Sequence, residues 1–344
     1  MKLTNAIALL SVAAGGILPL SAQQAAPAPV LQAYAQLKSA KGSKLNALRL
    51  VPPASIEKGL VAIYTTPDQP PAEMRTKDFK FFMVLTPADL ATATRSFTSG
   101  NLKEARSQLA AVRNKYAAFM GLPDSPALKA ARMELECCVR MMNWDAVGKL
   151  VAAAPNAAFM SPEDQVELAA ARLLSQVSDD AGTAAARQKD IEAFLADSKA
   201  KTINSEVYGW LKYALGRAIA SSVPAAELQS GITAAHEAAA SLAVDAYCES
   251  FASNHGRNVE LPEDALKRAF QILWAMPGVK QYALSVKQMD EKKWNDAPHN
   301  FRDAVAIAYI LENIVAPGQK DANIQKAASL HFNRLQGKKA AGDK

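Results

Sequence analysis

The chain has 344 residues, which is enough for two compact domains or for one elongated repeat array. Half of the residues are hydrophobic and 21% are charged, which excludes a largely disordered chain, and an apolar set led by alanine with only 7% aromatic residues favours packed helices over a β-sandwich. The net charge of +6 is scattered along the chain apart from Lys338, Lys339 and Lys344, so the basic stripe of a nucleic-acid-binding protein is missing and no nucleic-acid partner is expected.

Residues 1–22 have the pattern of a secretory signal peptide. Lys2 supplies a positive charge, residues 7–20 form an apolar stretch, and Ala22 ends a cleavage site of small residues. The apolar stretch is shorter than the roughly 20 residues that cross a bilayer, and no nearby cysteine can carry a lipid anchor. We therefore expect cleavage near Ala22, a mature chain that begins at Gln23 without an integral membrane segment, and a periplasmic or secreted bacterial protein. An uncleaved N-terminal anchor helix is the alternative.

Residues 23–85 form an N-terminal segment that prolines interrupt repeatedly. Because proline breaks a helix interior, only short helices fit between the interruptions, and residues 30–39 and 54–63 are the candidates. The continuous apolar run at residues 79–85 fits either a buried helical turn or a strand, and we favour the helix. Any regular secondary structure in this segment is therefore predicted to be helical.

Residues 86–336 are predicted to form a helical-repeat domain, followed by a flexible basic tail at 337–344. Thr86-Pro87, Ser125-Pro126 and Ser161-Pro162 each place a hydroxyl N-cap before a proline at the first helical position. The distance from one such start to the next is the length of one helix-turn-helix unit. Leu261-Pro262 gives a fourth start without the hydroxyl.

Apolar residues recur at helical spacing through this region. The longest stripe, from Leu102 to Phe119, advances in steps of three and four residues and predicts a helix of about five turns. A second stripe, from Leu128 to Met142, passes through Cys138. Further stripes predict three more helices, and their members are Val207, Leu211, Ala214 and Ala218, then Ala265, Ala269, Ile272 and Met276, then Phe301, Val305 and Ala308.

Residues 97–105 resemble the turn of a tetratricopeptide-repeat hairpin, in which an aromatic residue is followed by glycine and then by a spaced apolar residue and alanine. Gly100 permits a tight turn between the two helices. Leu102 packs back on the first helix, and Ala105 lets the helices approach each other. Gly100 is therefore predicted to adopt a left-handed backbone conformation.

Two later segments resemble weaker copies of this turn. Residues 142–147 lack the glycine, and residues 293–297 are followed at once by Pro298, so that a loop is the alternative there. The resemblance implies an all-α fold, a right-handed α-solenoid of stacked helical hairpins. It also implies an interaction scaffold with a concave groove, and it assigns no functional residue.

No histidine belongs to a recognisable catalytic or metal-binding motif. His236-Glu237 begins like the helical motif of a zinc protease, but position 240, where the second histidine would stand, is alanine. His299 and His331 belong to no zinc-ligand set. His255 lies in a polar stretch and fits a solvated loop better than the base of a thiol nucleophile. We therefore predict no catalytic, cofactor-binding or metal-binding residue.

The three cysteines do not require a disulfide framework. Cys137 and Cys138 are adjacent, and neighbouring helical residues point about 100° apart, which strains a bridge between them. A bridge from Cys248 to either one stays open. Because Cys138 falls on an apolar stripe, we predict that it is a small buried hydrophobic residue.

Tryptophans can act as core anchors or as contacts in a ligand groove. Trp210 and Trp274 lie within predicted helices and are expected in the core, whereas Trp144 and Trp294 lie near predicted turns and fit either role. The combined expectation is an exported, non-enzymatic helical-repeat scaffold that binds another protein or an envelope component. An exported α-helical enzyme, for example one that acts on glycans, and a structural envelope protein are the alternatives.

Overall fold

The computed structural model describes residues 28–39, 45–66, 68–177, 181–197, 203–254, 260–287, 289–318 and 320–342 of the chain. The predicted signal peptide and its cleavage site lie outside these residues, and so does His255. Within them, an antiparallel sheet is followed by a mostly helical region. Of the described helices, none combines the length and the apolar character needed to cross a membrane.

The sheet has five strands in the order β4-β3-β2-β1-β5, and neighbouring strands are antiparallel. It lies wholly within the N-terminal segment. A bulge between β1 and β5 falls at residues 36–37. The strands are β1 Leu31–Leu37, β2 Asn46–Val51, β3 Leu60–Ile63, β4 Ala72–Arg75 and β5 Phe79–Val84.

This sheet shows that the all-α prediction is wrong for the N-terminal segment. Residues 30–39, predicted as a helix, contain β1, residues 54–63 contain β3, and residues 79–85 contain β5. In β1, Leu31, Ala33 and Ala35 are buried while the residues between them face solvent, and this alternation is the period of a strand. Of the prolines that the structure describes in this segment, Pro29 precedes β1, and Pro52, Pro53, Pro70 and Pro71 lie in connections between strands, so they delimit strands and do not separate short helices.

The rest of the described chain is helical, as predicted. Short 3-10 turns occur there at Ala117–Phe119 and Ala157–Phe159, and a π-helical turn at Leu311–Val315, while a further 3-10 turn, Thr76–Asp78, joins β4 to β5 in the sheet region. The α-helices are α1 Ala88–Thr98, α2 Leu102–Lys115, α3 Pro126–Arg140, α4 Trp144–Ala152, α5 Pro162–Gln176, α6 Ala181–Ala196, α7 Ser205–Ala220, α8 Ala225–Ser230, α9 Glu237–Asn254, α10 Glu260–Ala275, α11 Val279–Ser285, α12 Glu291–Asp296, α13 His299–Ile310 and α14 Ala322–Gly342.

The predicted helix starts and stripes are largely confirmed. The Ser125 hydroxyl accepts from the N–H of Leu128 at 3.5 Å, and the Ser161 hydroxyl accepts from that of Asp164 at 3.1 Å. Thr86 does not cap α1, whose N-cap position is taken by Pro87. The last helix continues through residues 337–342, which the sequence had suggested as a flexible tail. The three C-terminal stripes are buried along their whole length.

Gly100 closes the first hairpin in a left-handed conformation with φ of +82°, as predicted. Its N–H donates to the carbonyl of Phe97 at 3.1 Å, and the N–H of Asn101 donates to that of Ser96 at 2.9 Å. These two bonds form a Schellman motif, which satisfies carbonyls at the end of α1.

The second hairpin closes through the same backbone motif without a glycine. Met142 has φ of +52°, and its N–H donates to the carbonyl of Val139 at 2.9 Å. The N–H of Asn143 donates to the carbonyl of Cys138 at 2.9 Å. The segment that resembles a degenerate copy of the first turn therefore has the same geometry.

Two apolar cores meet at α3. One lies between the inner face of the sheet and helices α1 to α3, and the other extends from α3 to α14. Cys137 belongs to the first core and Cys138 to the second, because adjacent residues of a helix point in different directions. Helix α3 therefore connects the sheet region to the larger helical region.

Candidate ligand cavity

A small cavity of about 50 Å³ lies among α2, α3, α4 and α5 and the connections that follow α2 and α4. Most of its wall is apolar. Among the wall residues Leu135 is buried and Ala153 is exposed. Half-buried apolar residues complete the wall, among them Met120, Leu128, Leu150, Met160 and Leu168.

The cavity adjoins a larger open cleft of about 560 Å³. The cleft lies between the connection that precedes α3 and the one that precedes α5. Leu128, Arg132, Met160 and Asp164 belong to the walls of both spaces. The cavity therefore borders the cleft along these four residues.

Charged side chains form one side of the cavity. Arg132 of α3 contacts two acids of α5: its Nε lies 2.9 Å from Oε2 of Glu167, and its Nη1 lies 3.4 Å from Oδ1 of Asp164. Arg113 of α2 also reaches the wall, and its Nε donates to Oε2 of Glu134 at 2.8 Å. The apolar cavity thus has a polar side where α3 faces α5.

Glu167 is the most buried charged residue of this wall, with 4% relative exposure. Its Oε2 atom binds Arg132, whereas its Oε1 atom is buried and has no hydrogen-bond partner. Burial raises the pKa of Glu167 to about 7, because loss of water disfavours the carboxylate more than Arg132 stabilises it. Near neutral pH this carboxyl group therefore exchanges readily between its protonated and ionised forms.

The polar side continues along α3 beyond the cavity. Arg132, Glu136 and Arg140 are spaced four residues apart and so lie on one face of the helix. Arg140 binds Glu136, and its Nε and Nη2 atoms lie 3.0 and 3.2 Å from the two carboxylate oxygens of Glu206 on α7. We call these residues, together with Asp164 and Glu167, the polar ladder.

The polar ladder contains more acids than bases. Arg132 contacts Asp164 and Glu167, and Arg140 contacts Glu136 and Glu206. Burial raises the pKa of Glu136, and the neighbouring carboxylate of Glu206 raises it further. The ladder can therefore take up a proton near neutral pH.

The histidines that the sequence singled out do not meet at one site. His236 lies just before α9, and its Nδ1 atom is 2.9 Å from Oε1 of Glu227. His299 pairs with Asp303 at 2.8 Å on the surface. His331 packs against the rings of Trp294 and Tyr309, and burial lowers its pKa. Among the residues that the structure describes, no group of three potential ligands can hold a metal ion.

The cysteines are free thiols, and Cys138 is fully buried as predicted. Burial raises the pKa of Cys137 to about 12 and that of Cys138 to about 11. The pKa of Cys248 is likewise raised to about 11 by burial. At neutral pH all three are therefore protonated, which makes them weak nucleophiles.

Trp210 and Trp274 are buried, which confirms their prediction as core residues. Trp144 is partly buried, and its ring centroid lies 5.9 Å from that of Tyr213. Trp294 is partly buried too, and the guanidinium of Arg334 lies 3.9 Å from its ring centroid. None of the four tryptophans lines the cavity, because its wall contains no aromatic residue among those that the structure describes.

Sequence analysis did not identify Glu167 or the polar ladder. The only signal was the spacing of Arg132, Glu136 and Arg140, and this pattern is also typical of a solvated helix face. That face is buried because α5 and α7, which come later in the sequence, pack against it. The distinction therefore required the tertiary structure.

Comparison with known proteins identifies no relative of this chain. It matches no model of a protein family, and searches of curated proteins and of solved structures find no significant similarity. The function is therefore inferred from the cavity and its chemistry.

Proposed function

We propose that the protein is an exported, non-enzymatic scaffold of stacked helical hairpins that binds another protein or an envelope component. The observation that carries this proposal is the apolar cavity that adjoins the cleft between the connections preceding α3 and α5. A partner segment lying in the cleft would be able to place one side chain in the cavity. Buried anchors of this kind supply much of the affinity at protein interfaces.

The proposed architecture is a right-handed, tetratricopeptide-like α-solenoid that follows the sheet. Its support is the repeated turn: the backbone hydrogen bonds at Gly100 recur at Met142. Consecutive helices also contact one another from α1 to α5. In a stack of this kind, neighbouring hairpins form grooves between them, and such grooves commonly bind partners.

An exported enzyme acting on glycans is the second candidate, because the raised pKa of Glu167 is a property of general acids. The size of the cavity argues against it. A volume of 50 Å³ holds about two water-sized groups at roughly 30 Å³ each, so a sugar ring does not fit beside the Glu167 carboxyl group. A purely structural envelope protein, the third candidate, has no need for a cavity that adjoins a cleft.

The proposal is tested by blocking the cavity. Ala154→Trp places a large side chain at a half-buried position of the cavity wall, and Ala152→Trp places the same side chain at an exposed position outside it. Immobilised wild-type protein and both variants are incubated with the envelope fraction of the producing bacterium, and the captured components are quantified by mass spectrometry.

We expect a component that wild type and Ala152→Trp retain and that Ala154→Trp loses at least tenfold. Equal retention by all three proteins would place binding elsewhere on the molecule. Capture of nothing specific, together with turnover of a glycan library that Glu167→Gln abolishes, would instead establish the enzyme.

A further inference from the structure

We infer that the free edge of β5 binds an extended segment of a partner protein, which pairs with it as a sixth strand and places acidic residues beside Lys77 and Lys80. No residue of this edge belongs to the cavity or to the cleft, so the inference goes beyond the proposed function and does not depend on it. It follows from unpaired backbone groups, exposed apolar side chains and cations without ion-pair partners.

The backbone of β5 has unpaired groups on the side away from β1. The N–H of Leu85 donates to the carbonyl of Gln32 at 2.8 Å. Because every second residue of an antiparallel strand bonds to a given neighbour, the N–H and C=O groups of Phe82 and Val84 point away from β1. β5 is the last strand of the sheet, and no other described residue bonds to these groups. They form a template for one more strand.

The side chains along this edge are accessible and mostly apolar. Phe81 and Met83 are on the outer face of the sheet, with 40% and 42% relative exposure. Phe82 and Val84 belong to the inner face and pack against the first core, yet they are only half-buried. An added strand would therefore remove apolar surface from water on both faces of the sheet.

The opposite edge of the sheet is better protected. β4 has only four residues, and two of them, Glu73 and Arg75, are charged. Glu73 accepts from the N–H of Ala54 at 2.9 Å, and Arg75 forms an ion pair with Glu57. Short strands and charged side chains protect an edge against pairing. β5 is longer, and its residues 81–84 are all apolar.

Cations without partners lie at the start of β5. Lys77 and Lys80 are exposed, and neither forms an ion pair with a described residue. Lys38 lies beside them, because its N–H donates to the carbonyl of Asp78 at 3.1 Å. Asp78 is the one acid in residues 74–88, and its carboxylate accepts from the N–H of Arg75. Acidic residues at this end of a partner strand would complement the excess of positive charge.

A second copy of the chain is the alternative occupant, and its charges are unsuitable. Antiparallel pairing of two β5 strands about Phe82 would place Lys80 opposite Val84 of the second copy. The next acid in that direction along the chain is Asp89, which is already bound to Lys115. The lysines at the start of both strands would then stay uncompensated, so the charges favour a different protein.

The inference is tested with synthetic peptides. In antiparallel pairing, the favoured orientation, the carboxyl-terminal half of a partner strand lies beside the start of β5. The probe is therefore acetyl-Thr-Val-Thr-Val-Glu-Glu-amide, and a control peptide has lysine in place of both glutamates. Two further peptides carry N-methyl groups on the threonine amides or on the valine amides, which face opposite sides of a strand.

Binding is measured by isothermal titration calorimetry. We expect the glutamate peptide to bind saturably, about fivefold or more tightly than the lysine peptide at low salt. One methylated peptide should lose binding, because its methyl groups face β5 and remove the donors. The other should keep it, because its methyl groups face solvent.

Hydrogen exchange locates the bound peptide. In the free protein, the amides of Phe82 and Val84 should exchange faster than those of Phe81 and Met83, which bond to β1. The glutamate peptide should slow exchange at Phe82 and Val84 by about tenfold or more.

A charge reversal tests the role of the lysines. Lys80→Glu should weaken binding of the glutamate peptide about fivefold and strengthen binding of the lysine peptide. Lys292→Glu makes the same change at an exposed position on α12 and should alter neither affinity. The exchange of preference is a readout that misfolding of the variant would not produce.

Several outcomes would overturn the inference. They are failure of the glutamate peptide to bind, equal binding of the glutamate and lysine peptides, and equal binding of the two methylated peptides. Protection of Phe82 and Val84 that rises with protein concentration alone would identify a second copy as the occupant. Loss of peptide binding in Ala154→Trp would place the peptide in the cleft. Capture of an envelope component through the cleft is independent of all these results, so the proposed function and this inference can fail separately.

Discussion

The turns at Gly100 and Met142 have the same backbone hydrogen bonds but are held in different ways. Glycine adopts a left-handed conformation readily, and Gly100 is exposed, with no atom within 4 Å of where a Cβ atom would lie. Met142 adopts that conformation against the preference of its side chain, which is half-buried against the second core. The first turn is thus favoured by its backbone, and the second depends on neighbouring side chains.

Two neighbours of Met142 have no counterpart at the first turn. The Asn143 side chain accepts from the N–H of Ala146 at 3.2 Å and caps α4, whereas Asn101 makes no side-chain cap on α2. Arg140, two residues before Met142, joins α3 to α7 through Glu206, whereas Thr98 at the same place before Gly100 is exposed. A turn motif can therefore lose its glycine when tertiary contacts fix the helix ends.

The largest expected effect comes from removing Arg140, which joins α3 to α7 through Glu206. Arg140→Met leaves Glu136 and Glu206 facing each other in a buried place, and it also removes a guanidinium that lies 4.7 Å from the ring centroid of Phe97. Loss of one partner from a buried ion pair typically costs about 3–5 kcal/mol. We expect a loss near the lower end of this range at pH 8, measured by urea unfolding. Thr98→Met, the matched control at the first turn, should change stability by less than about 0.5 kcal/mol.

The loss should depend on pH in a defined direction. The folded-state pKa of Glu136 is raised by burial and by Glu206, and removal of Arg140 takes away a cation that lowers it. An acid whose pKa is raised on folding stabilises the folded state while it is protonated, and this stabilisation is lost as the pH rises through the folded-state pKa. Arg140→Met should therefore be less destabilised at pH 5 than at pH 8. Equal losses at both values would mean that Arg140 acts mainly by packing.

The hairpins could be predicted from sequence because their signals are local. Ser125 and Ser161 cap helices through contacts three residues away, and apolar spacing alone locates α2 and α10. The strands could not be recognised in the same way, because β1 pairs with β5 from more than 40 residues away and has only a short alternation of its own. Alanine at positions 33 and 35 further weakened the strand signal, since alanine favours helices.

The cavity could not be predicted from the sequence for a related reason. Glu167 stands in the first half of α5 between Val166 and Leu168, and no motif in the sequence distinguishes it from a solvated helical residue. Its raised pKa results from burial in the tertiary structure, which outweighs the ion pair with Arg132 of α3, and neither follows from its neighbours in the chain. Chemistry that arises between hairpins is therefore less predictable than the hairpins themselves.

A smaller effect is expected at the first turn, where Gly100→Val tests the contribution of backbone conformation alone. Because nothing lies near the position of the added Cβ atom, the cost comes from the left-handed φ and should be about 1–2 kcal/mol, without an added steric clash. Hydrogen exchange should increase mainly in α1 and α2. Gly148→Ala, in the interior of α4 and equally unobstructed, should instead stabilise the protein by about 0.5–1 kcal/mol. Unchanged melting and exchange in Gly100→Val would contradict the tetratricopeptide-like register.

The smallest effect separates conformation from packing at Met142. Both Met142→Ala and Met142→Gly remove the side chain that packs against the second core, so the lost contacts are common to the two variants. They differ in the backbone, because alanine keeps the cost of the left-handed conformation and glycine removes it. Met142→Gly should therefore be about 1 kcal/mol more stable than Met142→Ala in urea unfolding. In α4 the same comparison has the opposite sign, since Gly148→Ala is expected to stabilise. If alanine is the more stable residue at both positions, residue 142 is not left-handed in solution, and the second turn does not repeat the first.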